Sequence, residues 1–264
     1  MGSNTLIRWA AKTWNPMSGC TKLSPGCDNC YAYNLAERYR GTPAFPVGFD
    51  LNPKPYKLMD PTRWKDPADI FVNSMSDLYH RAWDRDFLDQ IHDVMLDQRQ
   101  HVYICLTKRP KLMRDYIAGY LERRGLETMP ENYWPGVTIE DDGFCWRADV
   151  LRQVPTLGAR TISAEPLLGA LPSLDLRGLG WVIVGGESGP RRREMADDWA
   201  RDLRDRCRAA DVPFFFKQHS HLYTERGIEL DGERIEERPP NSRFGLDPAR
   251  LAEMAPEAAQ KALL

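Results

Sequence analysis

The sequence lacks most of the features that place a chain at a glance. No apolar run approaches the roughly 18 residues that a membrane span needs. The opening residues, MGSNTLIRWAAKTWNP, hold no basic stretch followed by an apolar one, so no secretory leader is expected. There is no internal repeat and no low-complexity tract. Charge of neither sign dominates: the net charge is −2. A global basic field that would draw nucleic acid is therefore excluded, though a local basic patch is not. What remains is ordinary for a globular protein: 264 residues, 42% hydrophobic and 28% charged. That length suits one large α/β domain or two small ones. Six cysteines without an export signal point to a reducing cytoplasm, where clustered thiols favour metal or redox chemistry over disulfides.

Short β-rich apolar runs recur about every 30 residues. Strands are expected at Leu6–Ala10, Ile70–Ser74, Val102–Leu106, Gly136–Ile139, Arg160–Ala164, Trp181–Gly185 and Pro213–Phe216. The runs are continuous rather than alternating, as in strands buried on both faces of a parallel sheet. Helices are expected over Asn29–Arg40, Arg85–Gln98, Lys111–Arg124 and Asp198–Ala210. This alternation predicts parallel βα units, closed into a barrel or opened as a doubly wound sheet. Pro166–Gly180 is too short and proline-rich for a full helix, so one crossover is irregular. Residues 221–264 read as an appendage, with a hairpin around Asp231–Gly232 and a helix from Asp247.

In parallel α/β folds the chemistry sits at the carboxyl ends of the strands. Six strand ends here are polar. They run into Asn73-Ser74-Met75-Ser76-Asp77, Thr107-Lys108-Arg109, Glu140-Asp141-Asp142, Ser163-Ala164-Glu165, Gly185-Gly186-Glu187-Ser188 and Lys217-Gln218-His219. Glu165 and Glu187 stand out, because a carboxylate following directly on a buried strand must find a partner or a ligand. The glycine-rich loop matches neither GxGxxG nor GxxxxGK[ST]. Arg191-Arg192-Arg193 after it reads as a solvated loop or a phosphate contact.

The most informative segment runs from Trp14 to Ala32, with Cys20, Cys27 and Cys30 in C-x6-C-x2-C spacing. Pro25-Gly26 makes a turn that lets Cys27 fold back towards Cys20. The C-x2-C pair sits at an expected helix start, whose partial positive charge favours thiolates. Two readings stand. A structural zinc would need a fourth ligand, which no nearby residue supplies. An iron–sulfur cube on three cysteines leaves one iron open, a catalytic arrangement. Cys105 and Cys207 read as core residues.

At these residues the chain resembles the three-Cys-motif phage Gp family of phage and bacterial proteins. The matching segments are TWNPMSGCTKLSPGCDNCYA, FVNSMSDLYH, LTKRP, WPGVTIED, ISAEPLLG, WVIVGGESGP and VPFFFKQ, spread in order over about residues 7–218. That family in turn resembles radical S-adenosylmethionine enzymes, including the branch with spore photoproduct lyase. The resemblance implies a partial (β/α) TIM-like barrel of six to seven parallel strands over residues 1–220, followed by the appendage at 221–264. It implies a [4Fe–4S] cluster on Cys20, Cys27 and Cys30, with S-adenosylmethionine on the fourth iron. Reductive cleavage of that cofactor gives a radical that takes hydrogen from a substrate. By the same resemblance Tyr31 packs beside the cluster or adenine. Ser74, Ser76 and Asp77 meet the methionine amino group or the ribose, and Glu165 and Glu187 hold the ribose or the methionine end. Lys108, Arg109 and Lys217 meet a carboxylate or phosphate. Gly185, Gly186 and Ser188 belong to the cofactor-binding edge, and Glu165, Glu187 and Lys217 are the catalytic candidates. The common spacing in those enzymes is C-x3-C-x2-C. Here the first gap is six, and the aromatic Tyr31 follows the third cysteine rather than preceding it.

An electron donor is implied, and phage context suggests a nucleic-acid substrate for modification or repair. Trp14, Trp64, Trp83, Trp134 and Trp146, in or near expected loops, could stack bases. The reading from a different class is a zinc-bearing, non-catalytic protein that recruits a partner encoded beside it.

Overall fold

The computed structural model describes residues 5–244. The chain enters the sheet at β1 (Lys12–Trp14). A small antiparallel ribbon follows, β2 (Met17–Ser18) against β3 (Asn52–Pro53), with α1 (Tyr31–Arg38) between them. Strands and helices then alternate: β4 (Asp69–Val72), α2 (Arg85–Asp97), β5 (Val102–Thr107), α3 (Pro110–Arg124), β6 (Tyr133–Thr138), α4 (Trp146–Leu151), β7 (Thr161–Ala164), β8 (Trp181–Gly185), α5 (Asp197–Ala209) and β9 (Phe214–Gln218). Seven strands form one all-parallel sheet in the order β1-β4-β5-β6-β7-β8-β9, curled into a half-barrel. The crossover from β7 to β8 carries no helix, as its prolines and shortness foretell.

Side-chain alternation along the strands divides the core in two. Outward-facing Tyr103, Val137, Ile162, Val182 and Phe216 pack with Ile91 of α2, Ile117 of α3 and Leu203 of α5. Inward-facing Ile104, Trp134, Ile183 and Phe215 pack with Trp9 and Ala10. The segment Leu6–Ala10 is therefore not the expected strand: β1 starts later, at Lys12. Its apolar residues plug the concave face instead, with the Trp9 ring 4.7 Å from Phe71 and 6.3 Å from Trp181. A sheet that does not close on itself leaves an apolar hollow, and a segment with strand-like hydrophobicity fills it.

The helix ends follow local chemistry. Asp84 caps α2 by accepting from Phe87 N at 2.9 Å. Gly125, at φ 64°, closes α3 in the left-handed conformation. The described part of the appendage turns back over the sheet. Phe216 N donates to Ile235 O at 2.9 Å and Glu237 N to Phe214 O at 3.1 Å, which covers the outer edge of β9. Asp231 and Gly232, at φ 58° and 77°, make the tight turn between Leu230 and Glu233. Arg238 donates to the carbonyls of Arg8 and Trp9, tying this segment to the plug. The helix expected from Asp247 lies outside the described residues. Among the described residues no helix is long and apolar enough to cross a membrane.

Candidate metal centre

All three motif cysteines are free, partly exposed and carried by the loop that leaves β1 at its carboxyl end. Cys27 ends a 3-10 turn, Pro25–Cys27, and Cys30 is the N-cap of α1. The loop is fastened to the sheet at several points. Gly19 bridges to Ser76 after β4, and Ser24 donates to Glu140 after β6. Asn29 donates to Glu187 after β8 at 2.9 Å. Tyr31 donates to the Ser74 carbonyl at 2.5 Å. The motif thus lies across the carboxyl-terminal rim, held by the residues that follow β4, β5, β6 and β8.

Two buried carboxylates do most of the fastening. Glu140 accepts from Arg147 Nη1 at 2.7 Å as well as from Ser24, and Lys108 Nζ lies 3.7 Å away. Gly26 must be glycine because a Cβ there would meet the Glu140 side chain at 2.5 Å. Glu187 receives Asn29, the Arg193 backbone N–H at 2.8 Å and the Arg193 guanidinium at 2.7 Å. Burial pushes the Glu187 carboxyl up, but the hydrogen bonds from Arg193 and Asn29 outweigh it and hold the group below the usual range. Arg193 also donates to Pro25 O, in the cysteine loop, at 2.8 Å.

Cys20 sits at the end of a polar chain. Arg109 Nη1 lies 3.5 Å from its sulfur and 2.8 Å from Asp77 Oδ2. Asp77 also accepts from Thr107 Oγ1 at 2.7 Å and from Tyr79 N at 3.0 Å. Arg109 Nη2 donates to Thr21, whose hydroxyl is 2.9 Å from His80 Nε2. Burial, with Asp77 adding to it, pushes the Cys20 thiol up, and Arg109 offsets part of the rise. Metal binding at this thiol therefore releases a proton.

The remaining candidates line the wall from β7 to β9. Lys217 Nζ lies 3.1 Å from Glu165 Oε1, off the line of a hydrogen bond, and Ser163 donates to Glu165 Oε2 at 3.1 Å. A Cβ on Gly185 would come within 3.2 Å of Glu165 Oε1, so this glycine makes room for the ion pair. Gly186 is packed against Ser220 N, where a Cβ would sit at 2.3 Å, and Ser188 bridges to His221. Ser74 Oγ pairs with the Asn15 side chain, and Ser76 Oγ with Met17 O at 3.4 Å. Tyr31 is 52% exposed as a residue. Its hydroxyl end is enclosed, and burial, then Cys30 and Glu165, push its pKa up.

Three residues of this rim were given no role from the sequence: Glu140 and Asn73, which stand among its polar strand ends, and Glu225. Glu140 was legible, because two-residue alternation from Trp134 through Gly136 and Thr138 carries it onto the concave face. Glu225 had no signal: it reaches the site from the appendage, where Arg8 Nε binds its Oε2 at 2.8 Å. Burial leads the upward push on its carboxyl, against Lys217 and Arg8. Asn73, at φ 59°, is buried with neither end of its amide bonded among the described residues. Of the five tryptophans expected near loops, Trp14 lies in β1 and Trp134 in β6, both fully buried. Trp146, at the start of α4, is 43% exposed.

Among the described residues no three or more His, Cys, Asp or Glu side chains are gathered to share a single metal ion.

A family model described as protein of unknown function (DUF5131) matches residues 4–256, so the chain belongs to that family. No curated protein and no solved structure matches the chain.

Proposed function

We propose that this member of the DUF5131 family is a radical S-adenosylmethionine enzyme, with Cys20, Cys27 and Cys30 as ligands of a [4Fe–4S] cluster. The observation that carries the reading is the placement of three free thiols on the carboxyl-terminal rim of an all-parallel half-barrel, in the loop that follows its first strand. The resemblance to the three-Cys-motif phage Gp family and to radical S-adenosylmethionine enzymes adds to it. The bound group would supply a strong one-electron reductant and, with the cofactor, a hydrogen-abstracting radical.

The chain's own residues would hold and shelter that chemistry. Glu140 and Glu187 fix the cysteine loop to β6 and β8. Arg109, itself positioned by Asp77, places a positive charge beside Cys20 and offsets the negative charge of a thiolate-bound cluster. Glu165 and Lys217 stand as a paired carboxyl and amine against Gly185, whose missing side chain makes room for them. They are the groups able to receive a polar cofactor or substrate and to hold a proton there. Glu187 is committed to Arg193 and Asn29, so its role in this reading is to position the loop rather than to transfer a proton. A nucleic-acid substrate draws support from Trp146, whose exposed ring carries Lys111 Nζ at 5.4 Å.

The test is reductive cleavage. Protein reconstituted with iron and sulfide under argon, then given dithionite and S-adenosylmethionine, should release 5′-deoxyadenosine and methionine. The Cys27→Ala variant should release neither. A protein that carries stoichiometric zinc, takes up no iron and leaves S-adenosylmethionine intact would replace this reading with a zinc-bearing partner-binding protein.

A further inference from the structure

Behind the rim, between the sheet and helices α2 and α3, lies a cluster of four tyrosines around one histidine. Tyr79, His92, Tyr116, Tyr120 and Tyr133 have neighbouring ring centroids 4.9 to 6.0 Å apart. Apolar residues would fill this volume without the cost of burying polar atoms. The hydrogen bonds, moreover, have a direction. His92 Nδ1 lies 2.9 Å from Leu88 O, which can only accept, so the proton is on Nδ1 and Nε2 carries the lone pair. Tyr79 Oη, 3.0 Å from that Nε2, is therefore the donor, and it accepts in turn from Tyr133 Oη at 2.5 Å. Tyr116 Oη donates to Asp89 at 2.7 Å and Tyr120 Oη to Asp93 at 2.8 Å.

Three phenols thus each donate to their own base. Burial pushes His92 down to about 4, so its imidazole is neutral near pH 7 and Nε2 carries no proton. Burial, with Tyr133 beside it, holds Tyr79 well above its ordinary value, so loss of its proton alone is disfavoured. The chain of groups has two ends. At one, Tyr79 N donates to Asp77, the carboxylate that positions Arg109 beside Cys20. At the other, Tyr116 and Tyr120 stack at 6.0 Å, and Asp93 pairs with the partly exposed Arg124.

We infer that this cluster is a redox-active tyrosine site, a one-electron relay between the thiol rim and the α2–α3 surface. An oxidising radical or one-electron oxidant near the rim takes an electron from Tyr79. The Tyr79 O–H bond breaks, its proton passes to His92 Nε2, and the products are a neutral tyrosyl radical and an imidazolium. Tyr133 keeps its hydrogen bond to the radical oxygen. Return of an electron and the proton restores the resting pair. Tyr116 with Asp89, and Tyr120 with Asp93, repeat the arrangement towards solvent. The site would drain oxidising equivalents that escape reaction at the rim.

The inference rests on the radical reading for its oxidant at the rim, but its test supplies its own oxidant and needs no cluster. Ruthenium(III) tris(bipyridine), photogenerated beside the full-length chain with a sacrificial electron acceptor, supplies the oxidant. Samples are frozen at increasing delays and read by electron paramagnetic resonance. The expected result is a long-lived neutral tyrosyl signal that Tyr79→Phe removes, while Tyr223→Phe, at an exposed tyrosine, leaves it. A wild-type protein with only short-lived signals, or a long-lived one that survives Tyr79→Phe, overturns the inference. Should Tyr79→Phe fail to fold, Tyr133→Phe decides. It removes the bond donated to Tyr79 Oη, so the signal's g-anisotropy should rise and its lifetime fall by an order of magnitude. An unchanged spectrum there overturns the inference too.

Discussion

The two ends of the concave interior are built on opposite principles. At the amino-terminal end, Trp9, Trp134, Trp181 and Phe215 interlock at ring distances of 5.9 to 6.3 Å with edge-on packing. At the carboxyl-terminal end the same strands run into Lys108, Glu140, Glu165, Glu187 and Lys217, which are fixed by ion pairs and hydrogen bonds. One end is held by area removed from water, the other by direction. Packing can be repacked with neighbours of similar volume, whereas a buried carboxylate tolerates only the partners it already has. Close approaches that admit only glycine occur at both ends, at Gly26 and Gly186 on the thiol side and at Gly158 on the packed side, where a Cβ would meet Tyr133 O at 2.0 Å.

A single substitution at each end tests how that end is held. Trp9→Ala should cost about 3–5 kcal/mol of unfolding free energy by emptying the plug. In urea titration it should lower the midpoint while the folded protein keeps its thiol chemistry. Glu140→Ala should cost about 3 kcal/mol, because Arg147 is left buried without its partner. Unlike Trp9→Ala, it should also free the cysteine loop, read as faster proteolytic cutting within residues 20–30 under native conditions.

Acid sharpens the contrast. His92 and His101 are buried neutral, burial pushing each down to about 4. The unfolded chain takes up both protons near its ordinary value of about 6.5. The unfolded state therefore binds more protons between those values, so stability is full above about 6.5 and is lost as pH falls towards about 4. Each histidine contributes on the order of 3 kcal/mol to that loss. Urea midpoints at pH 7 and 4.5 check it, and a flat response would contradict the neutral assignment of His92. Arg109→Met should act on chemistry more than on stability. Without the guanidinium the Cys20 thiol rises further, so its alkylation at pH 8 should slow a few-fold. The smallest effect belongs to the half-exposed pair of Arg201 and Asp231, where Arg201→Ala should cost under about 1 kcal/mol.

Much of the fold was legible. Trp181–Gly185 and the helix closed by Gly125 sit as the sequence foretells, because continuous apolar runs and glycine caps are local signals. Leu6–Ala10 misled because strand-like hydrophobicity does not say whether a segment pairs or plugs. At the site, the strand-end rule brought Glu165 and Lys217 together and found Glu187 and Asp77. It could not tell which carboxylates were already taken: Glu187 is committed to Arg193 and Asp77 to Arg109, and such pairing depends on tertiary neighbours. The tyrosine cluster lay beyond reach, since its members come from the loop after β4, from α2, from α3 and from β6.

Three thiols on the rim are proposed to hold one iron–sulfur cluster. Its most direct test is the iron, acid-labile sulfide and zinc content of protein purified without oxygen, beside a Cys20→Ala/Cys27→Ala/Cys30→Ala variant. About four irons and four sulfides per chain are expected, as a cube requires, with visible absorbance that the variant lacks. One zinc per chain with no iron, or iron retained by the variant, would contradict it.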